Sequence, residues 1–398
     1  MYGGILPRFN PWWSGREDPH LKRWRQQNVR WIPRWIDRLS LKPFSLNFIL
    51  GPRLVGKTTG IKLLIDRLLR EVDSRKILYV SCEVFPEYTM LSKILLKYLE
   101  AMERRREPIY IFLDEVTALK DWWKAVKPLI DAGVLEDTVV TVTGSSTLKV
   151  RGDVELFPGR RGEGVVVEAM PLTFPEYVSV HGLHEPELYP GKVEELFARY
   201  LSTGGFPPSI NEHPYSEILS AYIGEIVRFG RSLEVAKEVL SALISASPSP
   251  MSYRSLAAKT SGYSYKVVQN YIEFFRDLYL VGVAYLKQGG KILYRREKKF
   301  FFRDPLLLHL FSDWTGTPSL ESALYEQVVQ EHLYRKYNEI YYYKNAYEID
   351  VIADGLRIEV KAGKPHRRYP RRVQVVDKDQ LPFFLLKIGE YSSGSNLP

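Results

Sequence analysis

Two hydrophobic periods divide the chain. Between residues 41 and 175, apolar runs of seven or eight residues alternate with stretches whose apolar positions recur every three or four residues. The runs are "FSLNFIL" (44–50), "KILYVSC" (76–82), "PIYIFLD" (108–114), "DTVVTVTG" (137–144) and "EGVVVEAM" (163–170); "KTTGIKLLIDRLL" is the first amphipathic stretch. Such runs predict buried strands, and strands alternating with helices predict a parallel sheet.

From 176 to 230 the helical period dominates, broken only by "TGGFPPS" (203–209). A helix over 233–245 is followed by "SPSP", then "SYRSLAAKT", a turn at Gly262 and "SYKVVQNYIEFFRDLYL". Two strands flank Gly289-Gly290 in "VGVAYLKQGGKILYRREKKFFF". Three helices and a β-wing predict a winged helix-turn-helix over 231–303. Val268, Tyr271, Ile272, Phe275 and Leu278 form the apolar stripe of its last helix. Tyr265, Lys266, Gln269 and Asn270 are left to face a DNA groove. The wing carries Lys287, Lys291, Arg295, Arg296, Lys298 and Lys299, a set suited to phosphate contact.

A last α+β unit is predicted over 304–388, centred on "EIDVIADGLRIEVK" (348–361). An Asp-Gly turn at 354–355 pairs Ala353 with Leu356, Val351 with Ile358 and Asp350 with Glu359. Alternation then puts Ile349, Val351, Ala353, Leu356, Ile358 and Val360 on one face, and Glu348, Asp350, Glu359 and Lys361 on the other. Facing carboxylates repel. That face is therefore either solvated, with its lysine offsetting the acids, or a cation site.

The ends differ in character. Residues 1–40 read as an arm that packs on the body through Trp12, Trp13, Trp24, Trp31 and Trp35; residues 389–398 read as a flexible tail. The start lacks the pattern of a signal peptide, and no run of roughly 18 apolar residues is present, so a cytoplasmic protein with no membrane span is expected. The single cysteine, Cys82, excludes an internal disulfide framework and fits a reducing compartment. A chain of 398 residues exceeds one ordinary core. Its net charge of +9 favours an acidic partner, nucleic acid first and anionic membrane second. Few Cys, Met, Asn and Gln beside many charges point to a thermophile.

The chemistry begins at "GPRLVGKT" (51–58), a full G-x-x-x-x-G-K-[ST] match between a predicted strand and a predicted helix. Gly51, Pro52, Arg53, Leu54, Val55 and Gly56 form a loop whose N–H groups face the phosphates of ATP, at a helix N-terminus that favours anions. Lys57 reaches the β- and γ-phosphates, Thr58 offers its hydroxyl to Mg²⁺, and Thr59 continues the loop into the helix. In "IYIFLDEV" (109–116) Asp114 is placed to hold Mg²⁺ and Glu115 to act as general base. An Asp-Glu pair points to hydrolysis rather than transfer to a substrate. Thr143 or Ser145, ending the next strand, is placed to sense the γ-phosphate. Arg160 and Arg161 are either an arginine finger or a solvated pair.

"GPRLVGKTT", "FLDEV", "VTGSS", "PGRRGE", "MPLTFPEYV" and "TGGFPPSI", in that order, resemble archaeal and bacterial AAA+-type P-loop ATPases of the AAA_14/DUF4143 group. The resemblance implies a multidomain α/β chain. Its core, 41–175, is an ASCE-type parallel sheet with the catalytic-Glu strand between the Walker strands. A helical lid follows over 176–230, with Gly205 and Pro207 beside the adenine, then the winged helix and a C-terminal domain.

In that last domain Asp350, Glu359 and Lys361 match the D-x₈-E-x-K core of the PD-(D/E)xK restriction-endonuclease-like fold, lacking only a Pro before Asp350. Asp350 and Glu359 would hold Mg²⁺ or Mn²⁺, and Lys361 would position a water. Glu326, on the preceding helix, is the third candidate ligand, with Glu331 its substitute. "KAGKPHRRYPRR" (361–372) suits a DNA backbone. The expected function is an ATP-hydrolysing DNA-binding protein in which ATP controls binding or cleavage. The alternative is a STAND-like switch acting through protein partners. A homo-oligomer is compatible with both.

Overall fold

β1 (Ser45–Leu50), β2 (Ile77–Ser81), β3 (Ile109–Asp114), β4 (Thr138–Gly144) and β5 (Val166–Glu168) form a parallel sheet in the order β2-β3-β4-β1-β5. Every residue of β1, β3 and β4 is buried, as a parallel sheet covered on both faces requires. The strand between the P-loop strand β1 and the Asp114 strand β3 is β4. Glu115 instead follows Asp114 directly after β3, which corrects the expectation of a catalytic-Glu strand in between. These elements belong to a compact unit, Met1–Met170; a second unit spans Pro171–Pro398. The computed structural model describes residues 5–102, 107–144, 152, 157–345, 347–363 and 369–390.

The arm closes the open edge of β2. Asn10 Nδ2 donates to the Tyr79 carbonyl at 2.9 Å, and the Tyr79 N–H donates to Asn10 Oδ1 at 2.7 Å. The Trp12 and Trp13 indoles both donate to the Ile77 carbonyl, at 3.2 and 3.0 Å. Edge groups that would template another strand are thereby satisfied within the unit.

The second unit opens with helices Phe174–Val180, Pro190–Thr203 and Ser216–Arg228. The "TFPE" start of the first is a capping box: the Thr173 N–H donates to Glu176 Oε2 at 2.8 Å, and the Thr173 side chain accepts from the backbone in turn. Helices Leu233–Ala246, Tyr253–Ala257 and Tyr265–Asp277 are each capped by a serine, Ser232, Ser252 and Ser264, whose hydroxyl accepts the backbone N–H of Val235, Ser255 and Val267 in turn. On the last of them Val268, Tyr271, Ile272 and Phe275 are buried, while Tyr265, Lys266, Gln269 and Asn270 are exposed.

β6 (Val281–Gln288), β7 (Lys291–Ile292) and β8 (Lys298–Phe302) follow, then helices Pro305–Thr315 and Glu321–Tyr337. β9 (Tyr341–Lys344), β10 (Glu348–Ala353), β11 (Leu356–Lys361), β12 (Gln374–Asp377) and helix Leu381–Glu390 complete the chain. The strands form one seven-stranded sheet, β12-β11-β10-β9-β6-β7, with β8 on β6. β6 and β9 are parallel neighbours, Tyr285 opposite Tyr341, so strands on both sides of residues 303/304 share a sheet. The β10–β11 hairpin pairs Val351 with Ile358 and Ala353 with Leu356, with Asp354 and Gly355 at φ 43° and 81° in the turn. Among the described residues no helix is long and apolar enough to cross a membrane.

Candidate functional site

The first site forms where the parallel strands of the first unit end, the usual ligand edge of an open α/β sheet. After β1 the chain turns at Gly51, φ +153°, where an added Cβ would fall 1.9 Å from the Ala169 carbonyl oxygen. Only glycine fits that approach. Gly56, in the left-handed region, opens helix Lys57–Leu68. Lys57 is buried, and its Nζ donates to the carbonyls of Gly51 at 3.0 Å and Pro52 at 2.5 Å, which hold the ammonium against the loop.

Asp114 ties three strands together. Thr58 Oγ1 on the loop helix and the Tyr79 hydroxyl from β2 each donate to Asp114 Oδ2 at 2.7 Å. Thr143 Oγ1 from β4 donates to Asp114 Oδ1, and accepts the Glu115 N–H at 3.0 Å. Parallel registers place Ser81 beside Asp114, and Leu113 beside Val142. A carboxylate next to a hydroxyl, all hard oxygen donors, is what Mg²⁺ prefers, so Thr58 and Asp114 fit that ion. Glu115 sits at φ +53°. Non-glycine residues rarely adopt that conformation, and it costs on the order of 1–3 kcal/mol where it occurs.

Two neighbours carry no motif signal in the sequence. Tyr79 reaches Asp114 only through the pairing of β2 with β3. His20, from the arm, has Nε2 2.8 Å from Thr59 Oγ1, and burial pulls its pKa below the ordinary histidine value. Arg160 is held by Asp131, Nε to Oδ1 at 2.5 Å, and Arg161 is exposed. Ser145 lies outside the described residues. Gly205 is packed within the second unit: its N–H donates to Asp304 Oδ2 at 2.9 Å, and an added Cβ would fall 2.0 Å from the Leu172 carbonyl oxygen. Pro207 begins the short helix that follows.

The second constellation is the acidic hairpin, and it is not a solvated face. Asp350, Glu359 and Glu326 are buried at 6%, 3% and 5% exposure. At their centre stands Lys299 of β8, 1% exposed. Its Nζ lies 2.8 Å from Glu326 Oε1, 2.8 Å from Glu348 Oε1 and 2.7 Å from Asp350 Oδ1. This corrects the reading of Lys298 and Lys299 as phosphate contacts, since both are buried. Burial opposes the charge on Lys299, but the carboxylates outweigh it and push its pKa well up. Burial, then Asp350, push the pKa of Glu326 up too, against the pull of Lys299.

Lys361 Nζ donates to Glu359 Oε1 at 2.5 Å, and the Tyr369 hydroxyl donates to the same oxygen at 2.9 Å. Burial lowers the pKa of Lys361 and its bond to Glu359 raises it, leaving it at about 12. A lysine so paired is a poor base. Glu331 does not join the cluster; it bonds Arg303 at 2.9 and 3.2 Å and Arg335 at 2.6 Å. Of the basic run 361–372, residues 364–368 lie outside the described residues, and Arg371 and Arg372 are exposed. Among the described residues, no group of three or more His, Cys, Asp or Glu is arranged to hold a metal ion.

Residues 44–178 match the profile of the AAA_14 family, an AAA domain. That segment holds the P-loop, the Asp114 strand and the β4 threonine, and it is an AAA-type P-loop core. No curated protein matches the chain. Among solved structures, the Aeropyrum pernix ORC2 protein in ADPNP–ADP complexes is similar at 14% identity over 68% of this chain and 88% of that one, with a TM-score of 0.41. The A. pernix ORC1 protein in complex with DNA has 16% identity over 68% and 86%, TM-score 0.33. The Thermotoga maritima RuvB Holliday junction branch migration motor has 13% identity over 63% and 83%, TM-score 0.32. Likenesses this distant add nothing to what the P-loop geometry carries.

Proposed function

We propose that the chain is an Mg²⁺-dependent ATPase whose nucleotide state controls DNA binding by its second unit. The observation that carries the ATPase reading is the network around Asp114, which joins the loop threonine, the β4 threonine and the Glu115 backbone at one strand edge. Loop N–H groups and Lys57 bind the phosphates. Mg²⁺, when bound, neutralises charge on the β- and γ-oxygens. Glu115 takes the proton of a water as its oxygen bonds to the γ-phosphorus and the bond to the β-phosphate oxygen breaks, yielding ADP and phosphate. Thr143 holds Asp114 and the Glu115 backbone in position for that step. Arg160 as a finger belongs to the same proposal.

DNA binding rests on the exposed face of helix Tyr265–Asp277 and the basic tip of the β6–β7 region, where Lys291, Arg295 and Arg296 are exposed. The second unit is read as a winged helix followed by a restriction-endonuclease-like fold, with binding rather than cleavage as its output. In the test, ATP turnover and DNA affinity are measured for the parent, Lys57→Ala and Glu115→Gln. Lys57→Ala is expected to lose ATP binding. Glu115→Gln is expected to bind ATP but turn over about 10²–10⁴-fold more slowly. Normal turnover in Glu115→Gln would remove its assigned role. DNA that neither binds at moderate salt nor changes turnover would favour the switch acting through a protein partner.

A further inference from the structure

The acidic hairpin already holds a cation. We infer that Lys299 is its resident cation: the ammonium takes the place between Glu326, Glu348 and Asp350 that a divalent metal would need, so the second unit recruits neither Mg²⁺ nor Mn²⁺ there. The inference is independent of the ATPase reading, which concerns the other unit.

An ammonium has three donors and no acceptor. Lys299 Nζ donates to Glu326 Oε1 at 2.8 Å and to Asp350 Oδ1 at 2.7 Å, and Glu348 Oε1 lies 2.8 Å away as a third ion-pair partner. Two of these acids carry a further bond. Glu326 Oε1 accepts from Gln330 Nε2 at 2.8 Å, and Asp350 Oδ2 accepts the Val360 N–H at 2.9 Å. Glu359 spends one oxygen on Lys361 and Tyr369. Among the described residues, its other oxygen, Oε2, is buried without a hydrogen-bond partner. The oxygens that face one another here, Glu326 Oε1, Glu348 Oε1 and Asp350 Oδ1, all converge on the ammonium, so a divalent ion could bridge them only by displacing it.

The lysine is also anchored from outside the hairpin. It stands on β8, paired with β6 at Ala284, while Glu326 comes from helix Glu321–Tyr337. It therefore fastens three elements, and a metal would have to displace a buried side chain. Without a metal there is no ion to acidify a water, and Lys361 is bound to Glu359 instead of free to take a proton.

Mn²⁺ uptake by the full chain, without nucleotide, decides the matter by electron paramagnetic resonance of the free ion. The parent and Asp350→Asn are expected to leave the same free Mn²⁺ signal. Uptake of one equivalent by the parent, lost in Asp350→Asn, would overturn the inference; so would Mn²⁺-dependent DNA cleavage lost in the same variant. Lys299→Met vacates the position while keeping the volume. Its melting temperature is expected to rise with added Mn²⁺, and that rise should vanish in Lys299→Met/Asp350→Asn. If Lys299→Met is folded by circular dichroism yet gives no Mn²⁺ response, the ammonium is not what excludes the metal. If it does not fold, the comparison of parent with Asp350→Asn still decides.

Discussion

Thr143 spends its hydroxyl twice, donating to Asp114 and accepting the Glu115 N–H. Valine is close in shape and offers neither bond. A buried group left unpaired costs about 1–3 kcal/mol. If that loss falls on the transition state, Thr143→Val is expected to slow turnover by roughly 5- to 150-fold while ATP still binds. Steady-state turnover beside nucleotide titration separates the two; loss of binding with unchanged turnover would make Thr143 a loop-supporting residue only. The other residue-scale lesson is Lys299. Removing one partner of a buried ion pair costs about 3–5 kcal/mol. Lys299→Met is expected to destabilise the second unit by that order in denaturant melts. A change below about 1 kcal/mol would mean that the cluster is open to water.

At the scale of elements, legibility tracked how local each signal was. The strands of the P-loop core lie inside the apolar runs "FSLNFIL", "PIYIFLD" and "DTVVTVTG", because burial on both faces writes itself into consecutive residues. The hairpin register followed from one Asp-Gly turn. The stripe of helix Tyr265–Asp277 came straight from its period. Strand order did not, since it depends on which distant runs meet. Neither did Tyr79 or Lys299: Tyr79 reaches Asp114 across the pairing of β2 with β3, and Lys299 of β8 meets acids from β10 and from helix Glu321–Tyr337, contacts that no local pattern announces. "KKFFF" looked like the stem of a basic wing, yet alternation on β8 sends Lys299 inward to acids supplied by other elements. The exposed cations of the same region are a separate matter. Replacing Arg295 and Arg296 by alanine is expected to weaken DNA binding across all sequences and to lower the slope of affinity against salt by about 1 for each phosphate no longer neutralised. Binding isotherms at several salt concentrations read that slope, and an unchanged slope would remove both residues from the interface.

For the whole molecule, stability against pH carries one sharp expectation. Asp304 caps helix Pro305–Thr315 through the Leu306 N–H and holds the Gly205 N–H, and burial pushes its pKa up to about 7. An unfolded aspartate ionises near pH 4. Between those values the folded chain keeps a proton that the unfolded chain has released, so stability falls as pH rises and levels off above about 7. Asp304→Asn is expected to flatten that slope in melts taken from pH 4 to 8. An equally steep slope in the variant would place the titration elsewhere.

The pairing of the arm with β2 bears on how the protein can be divided. A fragment begun at residue 41, the obvious cut for isolating the phosphate-binding core, discards Asn10, Trp12 and Trp13. With them go the partners of the Tyr79 N–H and of the Ile77 and Tyr79 carbonyls. Such a fragment would keep the phosphate loop, Asp114, Glu115 and Thr143, losing only His20 from the surroundings of the site, and still be expected to clump, its bare strand pairing with other copies. Cuts placed before Leu6 keep those partners.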